Sequence, residues 1–400
     1  MTTTHSFGGK AVLTFMHVAG MIDMVALPVW IGVLVQHYGY NAQQAGITVT
    51  LFLVGVVAAS LLVSPRFNHL PRRVFTACGF ALAAAAFLFA AQQPLSADSF
   101  QALALAHAVA GLGAGCGLSF THGCIGRSVN PHRLFAVANV ALGVFAVAFF
   151  ALVPQLIQNV HASSLFWVCT ALMALGSLVA LVGFPAVLAA PTGKAGEPAV
   201  ASGKLRIPAA AWLAAGVVVC LTLNQAMVFS FIERIGTDRG FGVDRINGVL
   251  IALGLVNLIP GALAAVLQKR VSPLTVGLLG PIGQAVLALV IVNSTSFAPY
   301  AVATCLYTFM VIFTHAFLFG LLARLDPSGR AVAGTPAMMM VGSCIGPGLA
   351  GALVHGVGYP AVGVAACVVA AIAVLAMTQV RRLAPGEPPA AALAPTAAAV

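Results

Sequence analysis

One acidic residue, Asp23, lies in the middle of an apolar stretch in which its charge is hard to accommodate. If that stretch spans a membrane, a charge at the bilayer centre costs at least about 2.5–3.5 kcal/mol, so the side chain is expected to face a protein interior or a wet cavity. Burial disfavours the ionised form of a carboxylic acid. We therefore expect Asp23 to bind a proton or a cationic group of a ligand. The alternative is a structural carboxylate that bonds to a neighbouring hydroxyl or amide.

Further polar side chains lie inside other apolar stretches of the sequence. Asn224 and Gln225 are adjacent, and adjacent side chains point about 100° apart on a helix, so at most one of them faces a central cavity. Hydrogen bonding between helices is the alternative role for these amides and for the histidines, and packing or interfacial anchoring is the alternative for the aromatic residues. The candidate ligand-binding residues are Asp23, Trp30, Asn224, Gln225, Asn257, Tyr307 and His315.

Two neighbours of Asp23 bear on its surroundings. His17 lies six residues earlier, which on an unbroken helix is about 120° round and about 9 Å along the axis, so it is not a direct partner. Pro28 lies five residues later. Because proline has no N–H, it frees the carbonyl of Met24 and predicts a bend beside Asp23.

The sequence offers no pattern for metal binding, a cofactor or catalysis. All eight cysteines fall in apolar stretches and none forms a Cys-x-x-Cys pair, so they indicate small apolar residues and not disulfides or ligands. Neither a His-Glu-x-x-His nor a phosphate-binding glycine loop is present. We expect no metal, no cofactor and no enzymatic activity.

Composition identifies the surroundings of these stretches as a bilayer. Of the 400 residues, 61% are hydrophobic and 6% are charged, with a mean hydropathy of +1.05, whereas an average soluble domain is about 25% charged. A spanning helix needs about 20 mostly apolar residues. Twelve such stretches are predicted, at 11–36, 42–64, 74–94, 100–126, 133–157, 163–188, 209–232, 246–267, 273–293, 297–323, 331–356 and 359–380.

The basic residues predict the orientation of these spans. Fifteen of the 18 Lys and Arg fall on the side of the N-terminus, and the other three lie in the loop between spans 7 and 8. Cytoplasmic loops carry such an excess, so both termini are predicted to be cytoplasmic. The net charge of +10 then reflects topology, and no nucleic-acid partner is expected.

The same residues reveal an internal repeat. Several basic positions of the first half recur 197 residues later, at the same ends of the equivalent spans. Six spans separate the copies, so the halves have the same orientation and form a parallel repeat, an architecture that places a binding site at the midplane between them. The recurring pairs are Arg72 with Lys269, Arg73 with Arg270, Arg127 with Arg324, and Arg133 with Arg330.

Polar segments divide the chain into its predicted domains. The longest polar insertion, 190–207, predicts a flexible linker, and the Pro/Ala-rich end of the chain predicts a disordered tail. The expected domains are an N-terminal six-helix bundle, a cytoplasmic linker, a C-terminal six-helix bundle and a cytoplasmic tail, at 1–189, 190–207, 208–382 and 383–400.

Twelve spans in two six-helix halves, with a basic loop after spans 2 and 8, resemble the major facilitator superfamily. The family loop Gly-x-x-x-Asp-Arg-x-Gly-Arg-Arg corresponds here to Ser64-Pro65-Arg66-Phe67-Asn68-His69-Leu70-Pro71-Arg72-Arg73, which keeps the final pair. The resemblance implies an all-α membrane fold and a cytoplasmic latch formed by Arg72, Arg73, Lys269 and Arg270. At the outer end of span 7, Glu233 and Arg234 are a second gating candidate; the alternative is a solvated charged loop.

Two further motifs resemble proton-driven exporters of this family. Span 4 reads His107-Ala108-Val109-Ala110-Gly111-Leu112-Gly113 where those exporters have Arg-x-x-x-Gly-x-Gly. Span 1 reads Asp23-Met24-Val25-Ala26-Leu27-Pro28, which resembles a shortened version of the Asp and Ala-Leu-Pro motif of some drug exporters. The resemblance implies that His107 takes part in proton coupling with Asp23, and it favours export. Span 5 lacks the exporters' Gly-Pro pair.

We therefore predict an inner-membrane secondary transporter that moves a small organic solute by alternating access, coupled to protons and favouring export. The solute is expected to be neutral or cationic and partly apolar, because no Lys or Arg lies inside a span. The expected partners are this substrate, protons and the bilayer, and the protein is expected to be a monomer. The alternatives are a proton-coupled importer, a non-transporting receptor or sensor on the same fold, and a membrane-embedded enzyme.

Overall fold

The computed structural model describes the chain except residues 1–2, 5, 64–65, 68, 129–130, 186–206, 269, 327–330, 332–334 and 384–400. The predicted linker and tail therefore lie outside the described residues, apart from Ile207 and Leu383. What is described is helical, as expected for a chain in lipid, where a helix satisfies every backbone hydrogen bond within one segment.

Within the described residues, twelve helical stretches are long and apolar enough to cross a membrane, so the predicted all-α fold with twelve spans is confirmed. Spans 1, 7 and 8 are each interrupted once and consist of two helical segments. In span order, the helices are Phe7–Gly20 and Asp23–Gln36, Ala42–Val63, Arg72–Ala91, Phe100–Gly126, Pro131–Asn159, Ser164–Gly183, Ala209–Phe229 and Ile232–Asp238, Val243–Val256 and Pro260–Leu267, Pro273–Asn293, Phe297–Leu325, Thr335–Gly356, and Tyr359–Leu383.

Serine residues define two of the helix starts. The hydroxyl of Ser6 accepts a hydrogen bond from the backbone N–H of Gly9 at 3.0 Å. The hydroxyl of Ser272 does the same for Leu274, and Pro273 occupies the first helical position. Both arrangements satisfy N–H groups that have no partner within the helix.

The glycines of span 4 allow close backbone contact within the first six spans. Gly111 lies against the backbone carbonyl of Phe52 in span 2, and Gly113 lies against that of Gly79 in span 3. A side chain at either position would collide with those carbonyls. Small residues permit this approach in membrane helices, so the Gly-x-Gly pattern of span 4 serves packing in this structure.

The first six spans and the last six pack in equivalent ways. Span 3 packs on spans 4 and 6, and its counterpart, span 9, packs on spans 10 and 12. Span 2 packs on span 4, as span 8 does on span 10. We refer to spans 1–6 as the first half and to spans 7–12 as the second half. Following the predicted orientation, we call the Phe7 end of span 1 the inner side and its Gln36 end the outer side.

Candidate functional site

The interruption of span 1 places Asp23 at the start of a new helical segment. The inner segment ends at Gly20 and the outer segment begins at Asp23. Between them, the N–H of Met24 bonds to the carbonyl of Met21 at 3.1 Å, a shorter-range bond than that of an α-helix. Pro28 lies one turn further along and offers no N–H to the carbonyl of Met24. Pro28 therefore frees the carbonyl of the residue next to Asp23, whereas the interruption itself lies at Met21–Ile22, and the predicted bend stays a prediction.

The carboxylate of Asp23 is buried without a hydrogen-bond partner. The residue is 1% exposed, and neither of its oxygens has a partner among the described residues. The positive end of the outer segment, at whose first turn Asp23 stands, provides a favourable field. An isolated buried carboxylate is nevertheless costly unless it is neutralised or paired. The site can therefore hold a neutral acid or bind a cation, and the backbone N–H groups nearest to the carboxylate are those of Asp23 itself and Met24.

His107 is held between two hydrogen-bond partners inside the first half. The indole N–H of Trp30 donates to His107 Nε2 at 2.9 Å, and His107 Nδ1 donates to the carbonyl of Leu103 at 2.6 Å. This pattern requires the neutral ring with its proton on Nδ1. Protonation would place an N–H at Nε2 against the indole N–H, so this geometry favours the interhelical role for His107.

Trp30 lies among aromatic rings of the first half. Its ring centroid is 5.3 Å from that of Phe52, 5.6 Å from that of Phe87 and 6.3 Å from that of Phe166. The side chain is fully buried. These contacts come from spans 2, 3 and 6, so the structure favours packing as the role of Trp30.

Polar side chains occupy the equivalent interior of the second half. Asn224 Nδ2 donates to the carbonyl of Ala366 at 3.0 Å, and the hydroxyl of Tyr307 donates to the carbonyl of Asn224 at 2.6 Å. Gln284 Nε2 donates to the carbonyl of Leu221 at 3.0 Å. The side-chain oxygens of Asn224 and Gln284 are buried without a partner. Spans 7, 9, 10 and 12 thus meet around amides that keep free acceptors.

The remaining candidate residues are dispersed. Gln225 is half-buried, whereas Asn224 beside it is buried, in line with the expected divergence of adjacent side chains. Asn257 lies at the interruption of span 8, and its side-chain oxygen has no partner. His315 is buried, with its ring stacked on Phe319 at 5.6 Å and its Nε2 without a partner. Among the described residues, none of these side chains is hydrogen-bonded to the carboxylate of Asp23.

The two halves meet closely on the outer side, between spans 2 and 11. Gly46 lies against the backbone carbonyl of Pro347, and Gly351 lies against that of Ala42. The hydroxyl of Thr50 accepts a hydrogen bond from the N–H of Gly348 at 2.9 Å. Backbones approach this closely only because both helices carry small residues there.

Glu233 adds a second contact between the halves on the outer side. Its carboxylate lies against Gly32 of span 1. One oxygen accepts from the hydroxyl of Thr237 at 3.0 Å, and the other is buried without a partner. Segment 232–238 was predicted to be a gate or a solvated loop; it is the helix Ile232–Asp238, so the loop alternative is wrong.

Arg234 is paired within its own helix and not with Glu233. Its guanidinium contacts Asp238 at 2.5 Å, with both side chains partly exposed. Asp238 also accepts a hydrogen bond from the hydroxyl of Tyr359. Arg234 and Asp238 therefore tie span 7 to span 12, and Arg234 acts on Glu233 through its charge without forming an ion pair with it.

The basic loop after span 2 makes its bonds within the first half. Arg72 donates to the carbonyl of Phe67 at 3.2 Å, and the guanidinium groups of Arg72 and Arg127 lie 4.7 and 4.8 Å from the Phe67 ring. Arg73 donates to the carbonyl of Val182 at 3.5 Å. In the second copy of the loop, Arg270 is exposed and Lys269 lies outside the described residues.

A pair of histidines on the inner side was not predicted. His17 of span 1 contacts His122 of span 4, with Nδ1 and Nε2 2.9 Å apart. The sequence holds a signal for it, since His122 lies in the same apolar stretch as His107. Their contact depends on how spans 1 and 4 pack, and spacing along the chain does not reveal it.

One family model matches most of the sequence. The family model described as Major Facilitator Superfamily matches residues 13–333, a range that contains spans 2–10 entirely. No curated protein matches the chain.

Proposed function

Since the chain belongs to the major facilitator superfamily, it is a multi-pass membrane protein and a secondary transporter, and we propose that it couples proton binding at Asp23 to the movement of a small organic solute. The observation that carries this proposal is the buried, partnerless carboxylate at the interruption of span 1. Transport proceeds by alternating access between the two halves, around a site near the midplane.

The chemistry of Asp23 explains how coupling can arise. A buried carboxylate must be neutralised by a proton or by a cation. If the substrate carries a cationic group, substrate and proton compete for the same carboxylate, and each leaves only when the other arrives. Such competition produces exchange without a further coupling device. The preferred substrate is therefore a partly apolar organic cation, and it is exported in exchange for entering protons.

The topology and the charge distribution support the cellular setting of this proposal. Fifteen of the 18 basic residues lie on the side of the N-terminus, which by the positive-inside rule makes that side cytoplasmic. We place the protein in the cell inner membrane, with both termini in the cytoplasm, and as a monomer.

The contacts between the halves support an assignment of the gates. On the outer side, the glycine contacts of spans 2 and 11 and the Glu233–Gly32 contact close the path in this conformation. These contacts must separate when the outer side opens. On the inner side, Arg72 and Arg73 bond to carbonyls of the first half and hold its inner ends in register. By the repeat, Lys269 and Arg270 are the corresponding gating candidates of the second half. Arg234 holds the outer gate helix to span 12 through Asp238.

His107 acts in this proposal as a link and not as a carrier of charge. Its bond to Trp30 joins the outer segment of span 1 to span 4. Because Trp30 and Asp23 lie on the same segment, a displacement caused by protonation of Asp23 is passed to span 4 through this bond. Proton coupling thus involves both Asp23, which binds the proton, and His107, which transmits the displacement.

The test compares Asp23→Asn with wild type in proteoliposomes, with tetraphenylphosphonium as the probe. The membrane potential is held at zero with potassium and valinomycin, and an imposed pH gradient drives the flux. We expect gradient-driven flux to fall to the level of empty vesicles in Asp23→Asn. Exchange of labelled for unlabelled probe should fall as well, because the cationic probe binds to the same carboxylate.

The matched control is Asp98→Asn, the same change at an exposed residue next to span 4. It should behave as wild type. Gradient-driven flux that survives in Asp23→Asn would refute the proposal. Accumulation of the probe on the side of lower proton concentration would favour the importer, and wild-type vesicles without any flux would favour the receptor or sensor.

A further inference from the structure

The His17–His122 pair is a second titratable site in the first half, and the proposed function makes no use of it. The two nitrogens are 2.9 Å apart and the ring centroids 5.1 Å apart. Phe135 of span 5 presents its ring edge-on to both imidazoles, at 6.4 and 5.3 Å. Spans 1, 4 and 5 therefore enclose one hydrogen bond between two imidazoles.

The two histidines differ in their surroundings. His17 is 2% exposed and its Nε2 is buried without a partner, whereas His122 is partly exposed. A neutral imidazole has one N–H and one bare nitrogen. The pair can therefore share one proton along the Nδ1–Nε2 line and still present a second, unused nitrogen on the buried side.

No described carboxylate is bonded to the pair. The other titratable residues at the inner ends of spans 1, 4 and 5 are Lys10, Cys124, Arg127, His132 and Arg133. Lys10, Arg127 and Arg133 are exposed, and the side chain of His132 lies outside the described part. Span 6, which also packs on span 1, holds only Cys169. Two neutral rings in an apolar enclosure can pass a proton, but they lack a counter-ion that would retain it.

We infer that His17 and His122 form a proton relay that carries the coupling proton from the Asp23 side to the inner side. A proton binds at Nε2 of His17 as the Nδ1–H bond of His17 breaks. The proton released from Nδ1 of His17 forms an N–H bond at Nε2 of His122, and His122 releases its own Nδ1 proton to water. One proton enters and one leaves. Both rings end neutral, and each has changed from its Nδ1–H to its Nε2–H tautomer.

The position of the pair fits this direction of transfer. His17 lies on the inner segment of span 1, six residues before Asp23 and on the inner side of the interruption that separates the two residues. The proton given up by the carboxylic acid of Asp23 reaches His17 through intervening water. The relay rests on the proposed function, since it needs Asp23 to exchange a proton in each cycle.

The first experiment tests the hydrogen bond without any substrate. The protein is labelled with ¹⁵N-histidine and studied by solid-state NMR in lipid bilayers. We expect a nitrogen–nitrogen correlation across one N–H···N bond that disappears both in His17→Gln and in His122→Gln. The control His69→Gln, at an exposed histidine, should retain it. Its absence from wild type would overturn the inference.

The second experiment separates relay from structure. In the double variant His17→Asn/His122→Gln, amide groups replace Nδ1 and Nε2, so a bond between spans 1 and 4 can persist but cannot pass a proton. We expect pH-driven tetraphenylphosphonium flux to fall at least tenfold, while exchange of the probe and the thermal midpoint stay close to wild type.

The outcomes distinguish the relay from the proposed function. If the double variant keeps wild-type pH-driven flux, the pair is structural and only the relay is wrong. If exchange falls together with driven flux, the pair serves packing and the relay is again wrong. If wild type itself shows no pH-driven flux, the proposed function fails in this form and the relay falls with it.

Discussion

The two halves of this protein share a helix arrangement but differ in how their interiors are filled. At the centre of the first half, Trp30 is surrounded by the rings of Phe52, Phe87 and Phe166, and both nitrogens of His107 are hydrogen-bonded, one to Trp30 and the other to the carbonyl of Leu103. The second half has amides and a tyrosine at this depth, and two of its buried acceptors have no partner.

The contrast shows that one architecture can be packed in two ways. Phe87 and Gln284 are 197 residues apart, and so are His107 and Thr304. At equivalent positions of the repeat, the first half therefore has a phenyl ring and an imidazole where the second half has an amide and a hydroxyl. Tightly packed rings with a saturated hydrogen bond favour a single arrangement. Partly satisfied amides can change partners at little cost. We therefore expect the first half to move as a rigid body and the second half to adapt.

The largest expected effect is that of Trp30→Ala. Removing a fully buried indole leaves a cavity and an unpaired His107, so the free energy of unfolding should fall by about 3–5 kcal/mol. Reversible unfolding in mixed micelles with increasing dodecyl sulfate measures this change. Trp212→Ala is the control, because Trp212 of span 7 is 62% exposed. A comparable loss in the control would show that Trp30 is not a special packing residue.

The next effect isolates the hydrogen bond. Trp30→Phe keeps an aromatic ring but leaves His107 Nε2 without its donor, which should cost about 1–3 kcal/mol. A double-mutant cycle with His107→Leu should give a coupling energy of about 0.5–3 kcal/mol. A coupling energy near zero would mean that the bond contributes nothing to the first half.

Tyr307→Phe probes the corresponding polar contact of the second half. The lost partner is the carbonyl of Asn224, which as a helical backbone carbonyl retains a bonding option within its own helix. We expect a loss of about 0.6 kcal/mol, in the range found for hydrogen bonds between membrane helices. A loss above that of Trp30→Phe would reverse the order of the two halves.

The smallest effect is expected for Gln284→Met. This change removes a buried acceptor that has no partner together with a donor to the Leu221 carbonyl. The two contributions should nearly cancel, so the free energy of unfolding should stay within about 0.5 kcal/mol of wild type. Gln268→Met, at an exposed position, serves as the reference. Strong destabilisation by Gln284→Met alone would contradict the adaptable interior.

Sequence patterns predicted the parts of the fold that depend on local composition. Long apolar stretches located the spans because each must cross the bilayer by itself. The interruption of span 1 at Met21–Ile22 was not predicted, because the missing N–H of Pro28 acts on Met24, inside the outer segment. The extension of span 7 to Asp238 was missed. Charged residues suggested a loop there, whereas the helix Ile232–Asp238 places Glu233 against span 1 and pairs Arg234 with Asp238.

The sequence by itself determined that this is a twelve-span membrane protein and that Asp23 is its exceptional residue, since both follow from the cost of polar groups in lipid. Only the tertiary structure decided which polar groups meet. His107 bonds to Trp30 and His17 contacts His122, and Asp23 stands without a partner. These pairings depend on the rotation and depth of each helix against its neighbours, which side chains from several spans set together and no single stretch of sequence specifies.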